Sequence, residues 1–150
     1  MLGKIAKKLR LLGFDSLYSS NIDDDELLRI AKKENRVLIT KDVALLAKAT
    51  KQQIPTIPIT KNQEIDQLCQ INEKVNLNKL VISGSISRCS ICNDKLRLIE
   101  KNDVLGKVPA SVYEKMKEFW ICMNCKKIYW EGTHIRNLQK FTAELNDRLS

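Results

Sequence analysis

The chain has 150 residues, of which 43% are hydrophobic and 29% are charged, and its formal net charge is +8. This length fits one ordinary domain or two small ones, and the apolar fraction is large enough for a packed core, so a disordered chain is not expected. No apolar run approaches the roughly 20 residues of a transmembrane helix, and the basic N-terminus lacks the features of a signal peptide. We therefore expect a soluble, cytoplasmic protein. Its positive charge favours a polyanionic partner such as nucleic acid, although solubility alone explains the charge equally well.

The first half of the chain alternates helical and strand-like patterns. The predicted helices are residues 1–14, 23–35, 42–52 and 62–75, and the predicted strands are residues 15–20, 36–40 and 56–60. This alternation predicts an α/β fold in which a mostly parallel sheet carries helices on its faces. Such a fold normally opens with a strand, whereas this chain opens with a helix.

The second half of the chain is dominated by short strands and loops. Residues 83–87 resemble a linker, and we place the boundary between two domains there, giving residues 1–82 and 83–150. The segment 108–119 is a predicted helix inside the second domain, and residues 132–150 are a predicted amphipathic helix. A small metal-stabilised module is expected at about residues 86–132.

Four of the five cysteines form two CxxC pairs, which predict a structural zinc site made by Cys89, Cys92, Cys122 and Cys125. Each CxxC turn supplies two thiolates, and two such turns complete the tetrahedral shell that zinc prefers. The 29 residues between the pairs exceed the usual interval of roughly 15–20, which indicates an insertion between the halves of a zinc ribbon. Four unrelated cysteines and a redox CxxC are the alternatives, and the redox motif does not explain the second pair.

Other residue types in this half leave two interpretations open. His134 is the only histidine; it is either a catalytic base or ligand, or a capping or packing residue beside Trp130. The aromatic residues of the ribbon either form an apolar patch for a partner protein or pack its own core. These aromatic residues are Phe119, Trp120, Tyr129 and Trp130.

Acidic residues follow two of the predicted strands. Asp23, Asp24 and Asp25 come after the first strand, and Asp42 comes after the second. Ligands collect at the carboxyl ends of parallel strands, and converging carboxylates suit Mg²⁺ or Mn²⁺. Such ions activate water for phosphodiester cleavage, so a basic protein with this pocket suits a nuclease. The alternative is that Asp24 or Asp25 only caps the helix that ends near Glu34, and that Asp42 only caps the next helix.

Several segments together resemble the mut-seven C-terminal ribonuclease family. They are MLGKIAKKLRLLGFDSLY, DDDELLRIAKKENRVLITKD, RCSIC and CMNCKKIYWEGTH, in this order along nearly the whole chain. The family is described as a PIN-like ribonuclease domain with a zinc ribbon near its C-terminus. The resemblance therefore implies a PIN-like three-layer parallel sheet with helices on both faces, a C-terminal zinc ribbon, and metal-dependent cleavage of RNA.

The resemblance also implies roles for single residues. It makes Asp42 a metal-binding acid and points to Asp24 or Asp25 as a second acid, with Glu26 less favoured, and it supports the four cysteines as zinc ligands. In the family, a strand ending in an aspartate precedes the segment that matches MLGK. This chain begins at Met1 with that segment, so we expect either a longer true protein or a degenerate member, and we favour the first.

The leading hypothesis is a ribonuclease that holds Mg²⁺ or Mn²⁺ on Asp24, Asp25 and Asp42 and uses activated water. The lysines expected to contact the RNA backbone are Lys4, Lys7, Lys8 and Lys41. The alternative is a non-catalytic RNA-binding or adaptor protein in which the ribbon and the basic surface do the binding. The sequence does not predict an oligomeric state.

Overall fold

The structure is a computed structural model that describes residues 2–78 and 80–150, and it divides into two compact units. The first unit comprises Tyr18–Leu77 with the start of the first helix, and the second comprises Ala6–Leu17 and Asn78–Arg148. The chain therefore changes unit inside the first helix, after Leu17 and after Leu77, whereas the boundary after residue 82 stays a prediction. In the described part of the chain, no helix has both the length and the apolar character that a membrane crossing requires.

The elements confirm a mixed α/β fold. The helices are α1 (Gly3–Leu11), α2 (Asp24–Lys33), α3 (Val43–Lys51), α4 (Glu64–Lys74), α5 (Ala110–Lys115) and α6 (Thr133–Leu149), with a 3₁₀ turn at Lys101–Val104. The strands are β1 (Leu38–Thr40), β2 (Thr56–Pro58), β3 (Leu96–Ile99), β4 (Phe119–Cys122) and β5 (Ile128–Tyr129). Each predicted helix is therefore present, although α5 is shorter than its pattern indicated.

The first unit is built around a parallel β1–α3–β2 segment. Strands β1 and β2 pair in register, with Ile39 opposite Ile57. Helices α2 and α3 bury apolar side chains against this pair because their apolar residues recur at helical spacing. The core cluster consists of Leu28, Ala31, Leu38, Leu45, Ala49 and Ile54, with Leu27 packed against it. This core fixes where β1 and β2 end, and therefore where the following polar residues lie.

The predicted strand at residues 15–20 is wrong, because this segment has no regular secondary structure. Side chains, and not a neighbouring strand, satisfy the backbone of Ser16: its N–H donates to Asn93 and its carbonyl accepts from Arg10. Leu17 and Tyr18 are both about half exposed, so the segment lacks a buried face. Among the described residues the parallel sheet holds two strands, and the PIN-like three-layer sheet is therefore not confirmed.

The second unit contains the antiparallel sheet β3–β4–β5. Leu98 lies opposite Trp120, and Trp120 lies opposite Tyr129. The 3₁₀ turn and α5 lie between β3 and β4, where the long cysteine interval predicts an insertion. Phe119 is fully buried and packs edge-on to Trp130 with ring centroids 6.3 Å apart. The ribbon aromatics therefore contribute to its own core.

Helix α6 is attached to an extended segment of the same unit by amide side chains. The Asn146 amide accepts from the backbone N–H of Leu80 at 3.0 Å and donates to the carbonyl of Leu80 at 2.8 Å. Gln139 donates to the carbonyl of Ile82 at 3.0 Å. The Asn146 amide therefore pairs with both backbone groups of Leu80, in the way that the backbone of a neighbouring strand does. Helix α6 thus holds residues 80–82 in place.

Candidate functional site

The four predicted zinc ligands come together in the second unit. The Sγ atoms of Cys89, Cys92, Cys122 and Cys125 all lie within 4.8 Å of one another. The Cys89–Cys125 separation is 3.6 Å and the Cys92–Cys122 separation is 3.2 Å. In the described part of the chain, this is the only group of three or more histidine, cysteine or acidic side chains close enough to share a metal ion.

Both CxxC turns have the same backbone construction. The residue after each pair, Asn93 or Lys126, has a positive φ, of 70° and 67° respectively. The N–H of Asn93 donates to the carbonyl of Cys89, and the N–H of Lys126 donates to the carbonyl of Cys122, at 2.9 and 2.8 Å. Each turn thereby curls its two thiols toward one point. Asparagine tolerates the left-handed region better than most residues, whereas lysine does so at some cost.

This donor set fits a tetrahedral zinc ion. Zinc–sulfur bonds of about 2.3 Å in a tetrahedron place the sulfurs about 3.8 Å apart, close to the separations found here. Cys89 and Cys122 are fully buried, whereas Cys125 is exposed. A zinc ion held by all four thiolates would have no position left for a water molecule or substrate, as is typical of structural zinc sites.

The surroundings of the thiols differ and shift their pKa values in opposite directions. Hydrogen bonds from the Asn124 side chain and then from the backbone of Asp94 lower the pKa of Cys92 to about 6. Burial raises the pKa of Cys122 to about 12. Because a metal ligand must be a thiolate, zinc binding has to release the proton of Cys122, and the stability of the metal-bound form falls as the pH is lowered.

Tyr129 is a second partner of the cluster. Its hydroxyl lies 3.0 Å from Cys89 Sγ and accepts a hydrogen bond from the backbone N–H of Ser90 at 3.0 Å. Burial raises the pKa of Tyr129, with the nearby Cys89 sulfur contributing in the same direction. The phenol therefore stays protonated and is placed to donate to the sulfur, an outer-shell contact that orients the ligand.

The acidic residues predicted near the first sheet lie at the start of α2. Asp23 is the N-cap of α2, and its side chain accepts from the N–H of Glu26 at 2.8 Å. Because Asp23 takes the cap, neither Asp24 nor Asp25 does, and within the described residues their carboxylates have no hydrogen-bond or ion-pair partner. Glu26 is engaged by Arg29, whose hydrogen bonds lower the pKa of Glu26. Asp24 and Asp25 are therefore the acidic side chains of this turn whose carboxylates are available to a cation.

Asp42 is the N-cap of α3, directly after β1. Its Oδ1 atom accepts from the N–H groups of Ala44 and Leu45 at 2.9 and 3.2 Å. The second carboxylate oxygen has no hydrogen-bond partner among the residues that the structure describes. The cap therefore uses one oxygen and leaves the other available. The structure does not join Asp24, Asp25 and Asp42 into one three-ligand group.

The predicted RNA-binding lysines are distributed over both units. Lys4 and Lys41 belong to the first unit, and Lys7 and Lys8 belong to the second. Lys41 makes a long contact of 3.4 Å to Asn62, and Lys8 lies over the ring of Phe141 at 5.2 Å. All four side chains are exposed or half-buried, as contact with a nucleic-acid backbone requires.

Residues of β3, β4 and the 3₁₀ turn line an open groove of about 610 Å³, which we call the ribbon groove. Four basic side chains line it together with three acidic ones, and Leu98, Ile121 and Met123 contribute an apolar surface. Leu98 is 61% exposed, which is unusual for a leucine within a strand. The basic residues are Arg97, Lys101, Lys117 and Lys126. His134 lies elsewhere, exposed in the first turn of α6.

Sequence reasoning missed the residues that support the cysteines. Tyr129, Asn124 and Arg10 contact the cysteines or the turns that carry them, and Arg10 is 80 residues away from its partner Ser90. The CxxC spacing is a local signal, whereas these contacts depend on tertiary structure. Arg10 occurs within the MLGK-containing segment that carries the family resemblance, but nothing in that pattern connects it to the cysteines.

Comparison with known proteins gives one match. No curated protein and no solved structure matches the chain. A family model described as the Mut7-C RNAse domain matches residues 1–142 of the 150 residues. That match includes both CxxC turns and all the acidic positions considered above. The chain therefore belongs to the Mut7-C RNAse domain family.

Proposed function

We propose that this protein is a metal-dependent ribonuclease whose active-site acids lie in the first unit. Membership of the RNAse domain family carries the proposal, because it implies RNA as the substrate. The candidate acids are Asp24, Asp25 and Asp42, which stand at the N-termini of two helices on one core cluster. The finer description of the fold, a PIN-like three-layer sheet with a zinc ribbon attached, belongs to the same proposal.

The available oxygens of these acids suit hard divalent cations. Carboxylate oxygen is the ligand type that Mg²⁺ and Mn²⁺ prefer, and such an ion would supply an activated water and neutralise charge on the phosphate. Asp42 would offer its uncapped oxygen while its other oxygen holds the start of α3. Asp24 and Asp25 would offer carboxylates that no other described residue engages.

The distribution of charge supports RNA as the partner. The segments Ala6–Leu17 and Asn78–Arg148 carry 16 basic and 9 acidic side chains, whereas the rest of the chain carries 10 and 9. The second unit therefore holds most of the positive charge, and a bound zinc tetrathiolate would lower that excess by only 2. We assign attraction of the RNA backbone mainly to this unit, with Lys7 and Lys8 among its contacts. Lys4 and Lys41 belong to the first unit, which also carries the candidate acids.

The arrangement of the cysteines also bears on the compartment. Four of the five cysteines are grouped as metal ligands, and the described cysteines form no disulfide, which suits a reducing compartment such as the cytoplasm.

The test is cleavage of a labelled single-stranded RNA by the purified, zinc-loaded protein with and without added Mn²⁺. We expect cleavage that requires Mn²⁺ and is abolished by Asp42→Asn, with Asp147→Asn, an exposed acid on α6, as the matched control. Cleavage that survives Asp42→Asn, or that proceeds equally without the divalent ion, would contradict the proposal.

One observation favours a second candidate function, a non-catalytic RNA-binding or adaptor protein. Asp23 and Asp42 both act as helix caps, and the described acids form no three-ligand group. In this case RNA binds without a divalent ion, weakens steeply as salt is raised, and is not cleaved. Filter binding at several salt concentrations, run beside the cleavage assay, separates the two functions.

A further inference from the structure

A buried arginine near the start of the chain contacts the first CxxC turn. Arg10 is only 6% exposed although it carries a full positive charge. Its Nη1 atom donates to the carbonyls of Ser90 and Ile91 at 2.8 and 3.3 Å. These are the two residues between Cys89 and Cys92. The guanidinium therefore holds the backbone of the turn that supplies two of the four thiolates.

The backbone of the same helix end adds further contacts. The N–H of Arg88 donates to the carbonyl of Arg10 at 2.8 Å, and the hydroxyl of Ser87 donates to the carbonyl of Leu11. The Nε atom of Arg10 donates to the carbonyl of Ser16 at 2.8 Å. Arg10 thus connects three pieces of backbone: the end of α1, the loop that follows it, and the metal-binding turn.

The far side of the turn is attached to that loop as well. Asn93, buried and with positive φ, accepts from the N–H of Ser16 at 3.0 Å and donates to the Asp15 carboxylate at 2.7 Å. Residues 10–16 therefore contact the CxxC turn both between its cysteines and just after them. Without residues 10–16 the backbone of the turn would be more mobile, because a loop of this length has few contacts of its own.

The positive charge of Arg10 also favours a position near a negatively charged metal centre. Four thiolates and one Zn²⁺ carry a net charge of about −2, and burying such a centre is costly unless positive charge or hydrogen-bond donors lie nearby. Arg10 brings a permanently charged group to the turn that bears Cys89 and Cys92. Its planar fork donates in two directions at once, which a lysine ammonium on a flexible stem does not reproduce.

We propose that Arg10 is a positioning residue of the zinc centre: it fixes the Cys89–Cys92 turn and brings positive charge to the turn that carries two of the four thiolates. The zinc affinity of the C-terminal ribbon then depends on a side chain at the opposite end of the sequence. Outer-shell residues of metal sites typically change metal affinity 10–100-fold when replaced, and we expect Arg10 to fall in this range.

The experiment measures zinc affinity of the full chain by competition with a chromophoric chelator. Arg10→Met removes both charge and fork, Arg10→Lys keeps the charge alone, and Arg97→Met removes an exposed arginine of β3 in the same unit. We expect roughly 10–100-fold weaker zinc binding for Arg10→Met, an intermediate value for Arg10→Lys, and an unchanged value for Arg97→Met. Co²⁺ absorption confirms in each variant that four thiolates still bind.

A second measurement separates positioning from a general loss of stability. Urea unfolding is followed with saturating zinc and with chelator, and the zinc-dependent gain in stability is compared between variants. Replacing a residue that only anchors α1 would lower the free energy of unfolding equally with zinc and with chelator, and would leave this gain unchanged. An unchanged zinc-dependent gain in Arg10→Met, or a zinc affinity of Arg10→Met equal to that of Arg97→Met, would overturn the proposal.

Discussion

The N-cap of α3 allows the two roles of Asp42 to be separated by substitution. One carboxylate oxygen of Asp42 accepts from Ala44 and Leu45, at 2.9 and 3.2 Å, while the other is free for a cation. Asparagine caps a helix about as well as aspartate does, because its amide oxygen accepts the same hydrogen bonds. Asp42→Asn therefore keeps the cap and removes the charge, whereas Asp42→Ala removes both.

The expected magnitudes follow from the geometry of the cap. Loss of a side-chain cap costs about 1 kcal/mol, within a range of roughly 0.5–2 kcal/mol. Asp42 is exposed, so no cavity cost is added to that value for Asp42→Ala. In a chain of this size, 1 kcal/mol lowers the melting temperature by about 2–4 °C. We expect Asp42→Asn to cost about 0.3 kcal/mol in ordinary salt, the lower end of the charge–dipole range, because only the interaction of the charge with the helix dipole is lost.

The assay combines thermal unfolding of the zinc-loaded protein with Mn²⁺ binding followed by paramagnetic broadening of backbone amide signals. In the wild type, we expect broadening of amides at the starts of α2 and α3, with none in either substituted protein. Only Asp42→Ala should show the lower melting temperature. Broadening that persists in Asp42→Asn would show that Asp42 acts only as a helix cap. Equal destabilisation by Asp42→Asn and Asp42→Ala would refute the assignment of Asp42 as the cap.

Three further predictions concern the second unit and α2. Asn146→Ala leaves the buried backbone groups of Leu80 unpaired and should lower the free energy of unfolding in urea by about 2–3 kcal/mol. The control Asn137→Ala, at an exposed position of the same helix, should lower it by less than about 0.5 kcal/mol. Equal effects of the two substitutions would refute the pairing of Asn146 with Leu80. Reversing the charge of two ribbon-groove residues with Arg97→Glu and Lys126→Glu should weaken RNA binding, measured by filter binding. The slope of the logarithm of the binding constant against the logarithm of the salt concentration should become shallower by the equivalent of about two phosphate contacts. An unchanged slope would show that RNA does not contact the groove. The pKa of Glu26 lies below its usual 4.5 in the folded state, so its ion pair stabilises α2 above that pH and is lost as the pH falls through the lower folded value. Glu26→Gln should flatten the fall in stability below pH 4.5 in acid unfolding, and an unaltered pH profile would show that the pair contributes nothing.

Much of the fold could be predicted because its signals are local. Helical periodicity identified α1 to α4 and α6, and the two CxxC turns identified the metal centre, since each turn is closed by hydrogen bonds between neighbouring residues. The long interval between Cys92 and Cys122 correctly indicated an insertion, which holds α5. The helices and the CxxC turns could be predicted because neighbouring residues determine each of them.

The rest of the fold depends on partners far away in the sequence. Residues 15–20 have the composition of a strand, yet Arg10 and Asn93 satisfy the backbone of Ser16, and no strand forms. Similarly, the cap of α2 is Asp23 and not one of its two acidic neighbours, because only its side chain reaches the N–H of the third helical residue. Runs of like residues do not reveal which member makes a contact.

The contacts of residues 6–17 have a consequence for the order of synthesis. This segment leaves the ribosome before its partners Ser90, Ile91 and Asn93, which are added more than 70 residues later. At about 5–20 residues per second, the buried side chains of Ala6, Leu9 and Leu12 wait roughly 4–15 s for the ribbon to appear. The second unit therefore completes its fold, and its zinc centre is assembled, only after both of its sequence segments, Ala6–Leu17 and Asn78–Arg148, have been synthesised.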